Sequence, residues 1–271
     1  MLKDITFGQY YDSASVLHRQ DPRIKIVLMI LLIVFIFISG NAYSLGLMTA
    51  SVVTILLVSR VPFKLFLKNI KAILPVLILT GIINLFYGEV TETNVLLEFW
   101  KITITTDGVY RAVFMALRIV LLILTSSVLT YTTTPNDLTD ALESLLSPLK
   151  FIGLKTAVHT LAMMMTIALR FIPTLIEEAE KIMNAQKARG ADLESGGLIK
   201  RVKALVPILI PLLISSIRRA YELAEAMECR CYNGGEGKTR MKQMKLHLRD
   251  LWSSLIVLTI CGGNIALNIL L

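Results

Sequence analysis

Two arginines stand out by their setting. Arg189 lies in Ala188-Arg189-Gly190, closing the charged run "EEAEKIMNAQKARG" of residues 177–190. Arg230, 41 residues further on, lies in Cys229-Arg230-Cys231 at the end of "RRAYELAEAMECRCY". A guanidinium is a permanently charged, planar fork that suits a carboxylate or several backbone carbonyls. Small neighbours on both sides let it and its backbone approach a partner closely. A single arginine at a helix end has a plainer explanation, a favourable interaction of about 0.3–1 kcal/mol with the helix dipole. Two at equivalent places admit another: a paired docking device for a partner with two equal pockets. The residues alone leave both readings open, because the repeat is loose. Alanines match at 179 and 220 and at 185 and 226, but little else does.

Other motifs invite chemistry and fail on inspection. "YNGGEGKTR" contains Gly237-Lys238-Thr239, yet the first glycine of a phosphate loop would fall on Tyr232, and the segment follows a helix rather than a strand. Cys229 and Cys231 have no second ligand pair for zinc. Cys261 lies in an apolar segment, so the three cysteines make no disulfide framework. His18, His159 and His247 are far apart in sequence and suggest no ligand set. No carboxylate, histidine and nucleophile set points to catalysis. The sequence therefore predicts a non-enzyme that binds no cofactor and no metal.

The elements that carry the two arginines are well specified. Pro173 suits a first turn or a kink, residues 174–188 contain neither glycine nor proline, and Gly190 is a natural stop. A helix over 174–189 would be about 24 Å long. Leu175, Ala179, Ile182, Met183 and Gln186 then lie near one face, with Glu178, Lys181 and Lys187 towards another. Glu177, Glu178 and Glu180 either pair with basic residues of this region or are solvated. The second helix, from about Ile214 to Arg230, carries a stripe of Ala220, Leu223, Ala224 and Met227.

Around these helices the chain is lipid-like. Of its 271 residues, 55% are hydrophobic and 18% charged, and mean hydropathy is +0.67, which points to a bilayer as solvent. Apolar runs occupy Ile24–Ile38, Leu45–Val58, Ile73–Phe86, Ala112–Leu129 and Leu251–Leu271. The first has no small-residue cleavage site after it and reads as a retained helix. The net charge of +8 is placed as positive-inside topology rather than as a nucleic-acid surface. Arg19, Arg23 and Lys25 precede the first run, and Arg60, Lys64, Lys68 and Lys71 separate the second from the third. The segment after the third carries Glu89, Glu92, Glu98 and Asp107 against Lys101 and Arg111. This puts the N-terminus in the cytoplasm and Tyr87–Tyr110 outside. Residues from Thr132 to Asp250 fall inside, and the last helix crosses outward.

Phe151–Ile172 and Ala204–Ile217 resist a tidy count. The first is interrupted by Lys155, His159 and Arg170, the second by Pro207 and Pro211. The segment between them is rich in basic residues. Both are expected to lie against, or dip into, the cytoplasmic side. The expectation is about five spans, and up to seven if both cross. Arg118, inside the fourth run, either snorkels to the outer interface or has a structural partner.

At this point the sequence resembles a known family. "LHRQDPRIK" (Leu17–Lys25), "LRFIPTLIEEAEKIMNAQKARG" (Leu169–Gly190) and "AEAMECRCY" (Ala224–Tyr232) resemble the transmembrane coupling subunit, the T component, of CbiQ/EcfT-like energy-coupling factor (ECF) transporters. The likeness covers nearly the whole chain. It implies an all-α polytopic membrane protein: N-terminal transmembrane helices over 1–131, a cytoplasmic coupling domain over 132–250, and a final transmembrane helix over 251–271. It also implies partners: two ATP-binding cassette ATPase subunits that carry ATP-Mg, one membrane-embedded substrate-binding S component, and the lipid bilayer, with no nucleic acid. Ala188, Arg189, Gly190, Cys229, Arg230 and Cys231 would be the ATPase-coupling residues. The second motif departs from the family's usual Ala-Arg-Gly, which puts in doubt the backbone turn a glycine at 231 would supply. The competing reading is a self-contained secondary transporter. It would need paired ionisable residues near mid-membrane and two similar membrane halves, features the apolar runs lack.

Overall fold

The computed structural model describes residues 10–86, 95–99, 102–148, 155–191, 197–233 and 246–270. The Gly237-Lys238-Thr239 segment, Lys242, Lys245, Glu89, Glu92, Lys101, Asp192, Glu194 and the first residues of the Phe151–Ile172 run lie outside them. The fold is helical: α1 (Pro22–Ile38), α2 (Ala42–Ser59), α3 (Phe63–Phe86), α4 (Thr106–Thr132), α5 (Pro135–Leu145), α6 (Lys155–Ala188), α7 (Leu198–Cys229) and α8 (Leu248–Leu270). Between α3 and α4, β1 (Val95–Phe99) and β2 (Ile102–Thr105) form a small antiparallel ribbon with a register shift between Val95 and Leu97. Two compact units result. One comprises Gly8–Thr134 with Met244–Leu271, the other Pro135–Gln243.

In the first unit α4 packs against α1, α2 and α3, and α8 against α1 and α2. Leu32, Ile36, Leu45, Met48, Val52, Leu121 and Val128 are its buried centre, and Phe66 meets Tyr131 edge-on at 5.3 Å between ring centroids. Each apolar run is helical, as expected, but α3 begins earlier than Ile73. The supposed basic loop holds its first turns, because Leu65, Phe66 and Ile70 interleave with Lys64, Lys68 and Lys71. Phe66 is buried while all three lysines stay exposed, so the segment is amphipathic helix rather than loop.

Buried polar groups close helix ends in this unit. Asp21 caps α1, its Oδ1 accepting from the Arg23 amide at 2.9 Å, and Pro22 follows at the first helical position. Lys25 is buried, where the sequence placed it with the loop charges. Its Nζ donates to the Thr132 carbonyl at 3.0 Å and to Thr133 Oγ1 at 3.1 Å, at the electronegative end of α4. Asp250 anchors α8 by accepting from the Asp21 amide at 3.1 Å and the His247 amide at 2.9 Å. At the other end of α1, Arg118 donates from Nη2 to the Ser39 carbonyl and lies 5.1 Å from the Phe114 ring centroid. Arg118 thus has a structural partner. Asn264, fully buried, donates to Ser39 Oγ at 2.8 Å and to the Ser44 carbonyl at 3.3 Å, fastening α8 to the α1–α2 turn.

Among the described residues, six helices are long and apolar enough to cross a membrane by length and composition: α2, α3, α4, α6, α7 and α8. α1 has 17 residues, about 25 Å, somewhat short of the hydrocarbon core. The six are four of the five expected spans together with α6 and α7, which meet the length and composition because both are unbroken. The apolar run ending at Ile172 continues through Pro173 into the charged segment as one 34-residue helix. The run containing Pro207 and Pro211 likewise continues to Cys229 as a 32-residue helix.

Candidate functional site

The two arginines occupy the same position in the same backbone motif. In α6 the Gly190 amide donates to the Lys187 carbonyl at 3.0 Å and the Ala191 amide to the Gln186 carbonyl at 3.0 Å, with Gly190 at φ +88°. In α7 the Cys231 amide donates to the Glu228 carbonyl at 2.8 Å and the Tyr232 amide to the Met227 carbonyl at 3.0 Å, with Cys231 at φ +55°. Both are Schellman motifs: the residue past the cap is left-handed, and the two amides that follow the cap fold back onto orphan carbonyls. The cap residues are Arg189 and Arg230. The glycine missing from the second motif has not changed the turn, because Cys231 adopts the left-handed conformation itself. For an L-residue that costs roughly 1–2 kcal/mol. A Cβ at Gly190 would meet nothing within 4 Å, so only its φ requires glycine there.

Both arginines are exposed, as are Ala188, Gly190, Cys229 and Cys231. Each guanidinium therefore stands at a capped helix end between small, solvent-facing neighbours, a form suited to insertion into an acidic or carbonyl-rich cleft.

The helices behind these tips meet through polar contacts. Arg219 Nη2 lies 2.5 Å from Glu178 Oε2, and Ser215 Oγ donates to Glu178 Oε1. Glu178 thus sits on the side of α6 that faces α7, and Leu175, Ala179, Ile182 and Met183 of the same helix are half-buried. On α7 the inward positions are Ile208, Leu212, Ser215, Arg219, Leu223 and Met227. Leu223 and Met227 were legible in the expected stripe. Ala220 and Ala224 are exposed instead, since a methyl group adds little burial to decide which face turns inward. Neither Ser215 nor the pairing of Glu178 with Arg219 was read from the sequence. A signal existed: positions 41 apart carry opposite charges, Glu177 and Arg218, Glu178 and Arg219, Lys181 and Glu222, Lys187 and Glu228. In the same unit His159 Nδ1 lies 3.3 Å from Glu143 Oε1, joining α6 to α5.

His18, like His159, makes structural contacts. His18 Nε2 is 2.8 Å from the Tyr11 carbonyl, which can only accept, so Nε2 carries the proton and Nδ1 accepts from Ser15 Oγ at 2.6 Å. Burial lowers the pKa of His18 from its usual value, against the opposing pull of the Tyr11 carbonyl. Among the described residues, no group of three or more histidine, cysteine or acidic side chains could hold a metal ion.

Fold and site together define a multi-pass helical membrane protein with a duplicated, arginine-tipped element. The family described as cobalt transport protein, CbiQ, matches residues 13–244. The energy-coupling factor transporter transmembrane protein EcfT of Ruminiclostridium cellulolyticum is 50% identical over 251 residues, covering 93% of this chain and 92% of the relative. That of Clostridium kluyveri is 49% identical over 261 residues, covering 96% and 95%. That of Bacillus subtilis is 42% identical over 247 residues, covering 90% and 91%. The chain belongs to the CbiQ/EcfT family, the transmembrane coupling components of energy-coupling factor transporters. It is a non-catalytic subunit of a transporter, and this membership sets aside the self-contained secondary transporter.

Proposed function

We propose that this chain carries ATP-driven movement from two ATP-binding cassette ATPase subunits to a membrane-embedded, substrate-binding S component that takes up a vitamin or a metal ion. Arg189 and Arg230, framed by Ala188, Gly190, Cys229 and Cys231, are the docking tips, one for each ATPase. The observation that carries this reading is the identity of the two helix ends: same motif, same cap residue, same exposure. A lone dipole interaction does not call for two copies of one backbone turn. ATP-Mg belongs to the ATPases. Closing of the ATPase pair moves the two tips relative to each other, and α6 and α7 pass that motion to the S component through their apolar faces.

The same proposal divides the chain into N-terminal helices over 1–131, a cytoplasmic coupling domain over 132–250 and a last span over 251–271, with the N-terminus in the cytoplasm of a prokaryotic cell. The basic residues Arg60, Lys64, Lys68 and Lys71 support this orientation, and the compactness of the unit holding α5, α6 and α7 supports a separate coupling domain. Gentle solubilisation of the tagged chain from its native membrane tests the reading. Two ATPase chains and a small membrane protein are expected with the wild type, and the ATPases are lost from the Arg189→Glu/Arg230→Glu variant. Retention of both ATPases by that variant would refute the docking role.

A further inference from the structure

Glu178 and Arg219 occupy equivalent positions in the repeat. Each lies 11 residues before its helix's tip arginine, Glu178 before Arg189 and Arg219 before Arg230, or about 16 Å along a helix. They also touch each other. The point where α6 and α7 are joined is therefore equidistant from the two tips. The junction is geometrically specific. Ser215 and Arg219 are one turn apart on α7, and each takes one oxygen of the same carboxylate. An exposed ion pair held at one atom contributes little. Here both side chains are partly withdrawn from solvent, at 21% and 37% exposure, and two donors fix the carboxylate. Of the oppositely charged positions 41 apart, Glu178 and Arg219 are the pair withdrawn from solvent, whereas Glu177, Lys181, Lys187, Arg218, Glu222 and Glu228 are exposed.

We propose that Glu178 and Arg219 are positioning residues that brace α6 against α7 at the centre of the repeat. The brace holds the arginine tips at one spacing, so that displacement of either tip turns both helices instead of bending one. Ser215 orients the carboxylate. The inference rests on the coupling role proposed above and adds residues that touch neither ATPase nor substrate.

The test uses the full complex reconstituted in sealed liposomes, with spin labels attached through noncanonical residues at positions 184 and 225. Asn184 and Glu225 are exposed and equivalent in the repeat. The wild type is expected to give one narrow distance distribution. Arg219→Glu and Glu178→Arg each place like charges at the junction. Each is expected to broaden that distribution and lower ATP-driven uptake roughly tenfold, within the usual size of a coupling between sites. The exchange Glu178→Arg/Arg219→Glu restores both readouts in large part, which loss of fold could not. Where a charge reversal prevents assembly, Glu178→Gln, which keeps the shape, gives a smaller broadening in the same direction. A distribution that stays narrow in these variants overturns the brace, as does an exchange variant that restores neither readout. Broadening with unimpaired uptake overturns the coupling reading of the tips, and the positioning role with it.

Discussion

Replacing Gly190 by alanine isolates the conformational part of the first tip. The added methyl group meets no atom within 4 Å, so the cost comes from holding an L-residue at φ +88°. That cost is roughly 1–2 kcal/mol, offset by about 0.4–1 kcal/mol from the reduced freedom of the unfolded chain. The net is about 1 kcal/mol, or about a fivefold shift towards the frayed end. The amide of Ala191 reports it directly, since it donates to the Gln186 carbonyl only while the motif is closed. Hydrogen exchange resolved to that amide is expected to accelerate about fivefold in Gly190→Ala, with uptake falling in parallel. Gly190→Asn, whose side chain tolerates the left-handed region, is expected to recover most of both. The second tip gives the mirror experiment. Cys231→Gly relieves the strain of a cysteine at φ +55° and is expected to slow exchange at the Tyr232 amide. Unchanged exchange in Gly190→Ala, or faster exchange at Tyr232 in Cys231→Gly, would refute the reasoning.

Three further outcomes are expected. The Arg189→Glu/Arg230→Glu variant should insert normally, measured by its yield in the membrane fraction, yet support no ATP-driven uptake; normal uptake would remove the arginines from the mechanism. Asn264→Ala removes a buried donor shared by Ser39 and Ser44 and should cost about 1–2 kcal/mol, read as a lower thermal midpoint in detergent. An unchanged midpoint would show that α8 is not held there. His18 has a lowered pKa when folded, so the unfolded chain binds the extra proton first. Its contribution to stability is complete above about pH 6.5 and is lost as pH falls through that value towards the folded pKa. Unfolding midpoints should fall more between about pH 7.5 and 5.5 for the wild type than for His18→Gln, and equal falls would exclude His18.

The helices of the first unit were legible because long apolar runs admit few alternatives in lipid. Their ends were less so. The first turns of α3 looked like a basic loop because three lysines dominate the composition there, while Phe66, which decides the matter by burying itself against Tyr131, is a single residue in the pattern. Lys25 read as a loop charge because its partners, Thr132 and Thr133, lie more than a hundred residues away. In the candidate site the arginines and their small neighbours were visible, and the cysteine at 231 appeared to threaten the turn. Local hydrogen bonds outweigh that strain, a balance that residue type alone does not reveal. The junction behind the tips needed the three-dimensional crossing, since hydrophobic period favoured Ala220 and Ala224 over Ser215 and Arg219 as the inward face.

The most direct test places a photo-crosslinking residue at position 188 in one variant and at position 229 in another, each within the assembled complex in native membranes. Each position is expected to capture an ATPase chain, and the capture is expected to disappear when the neighbouring arginine is changed to glutamate. Capture of only the small membrane subunit, or ATPase capture that persists without the arginine, would contradict the claim that these two helix ends transmit the work of ATP hydrolysis.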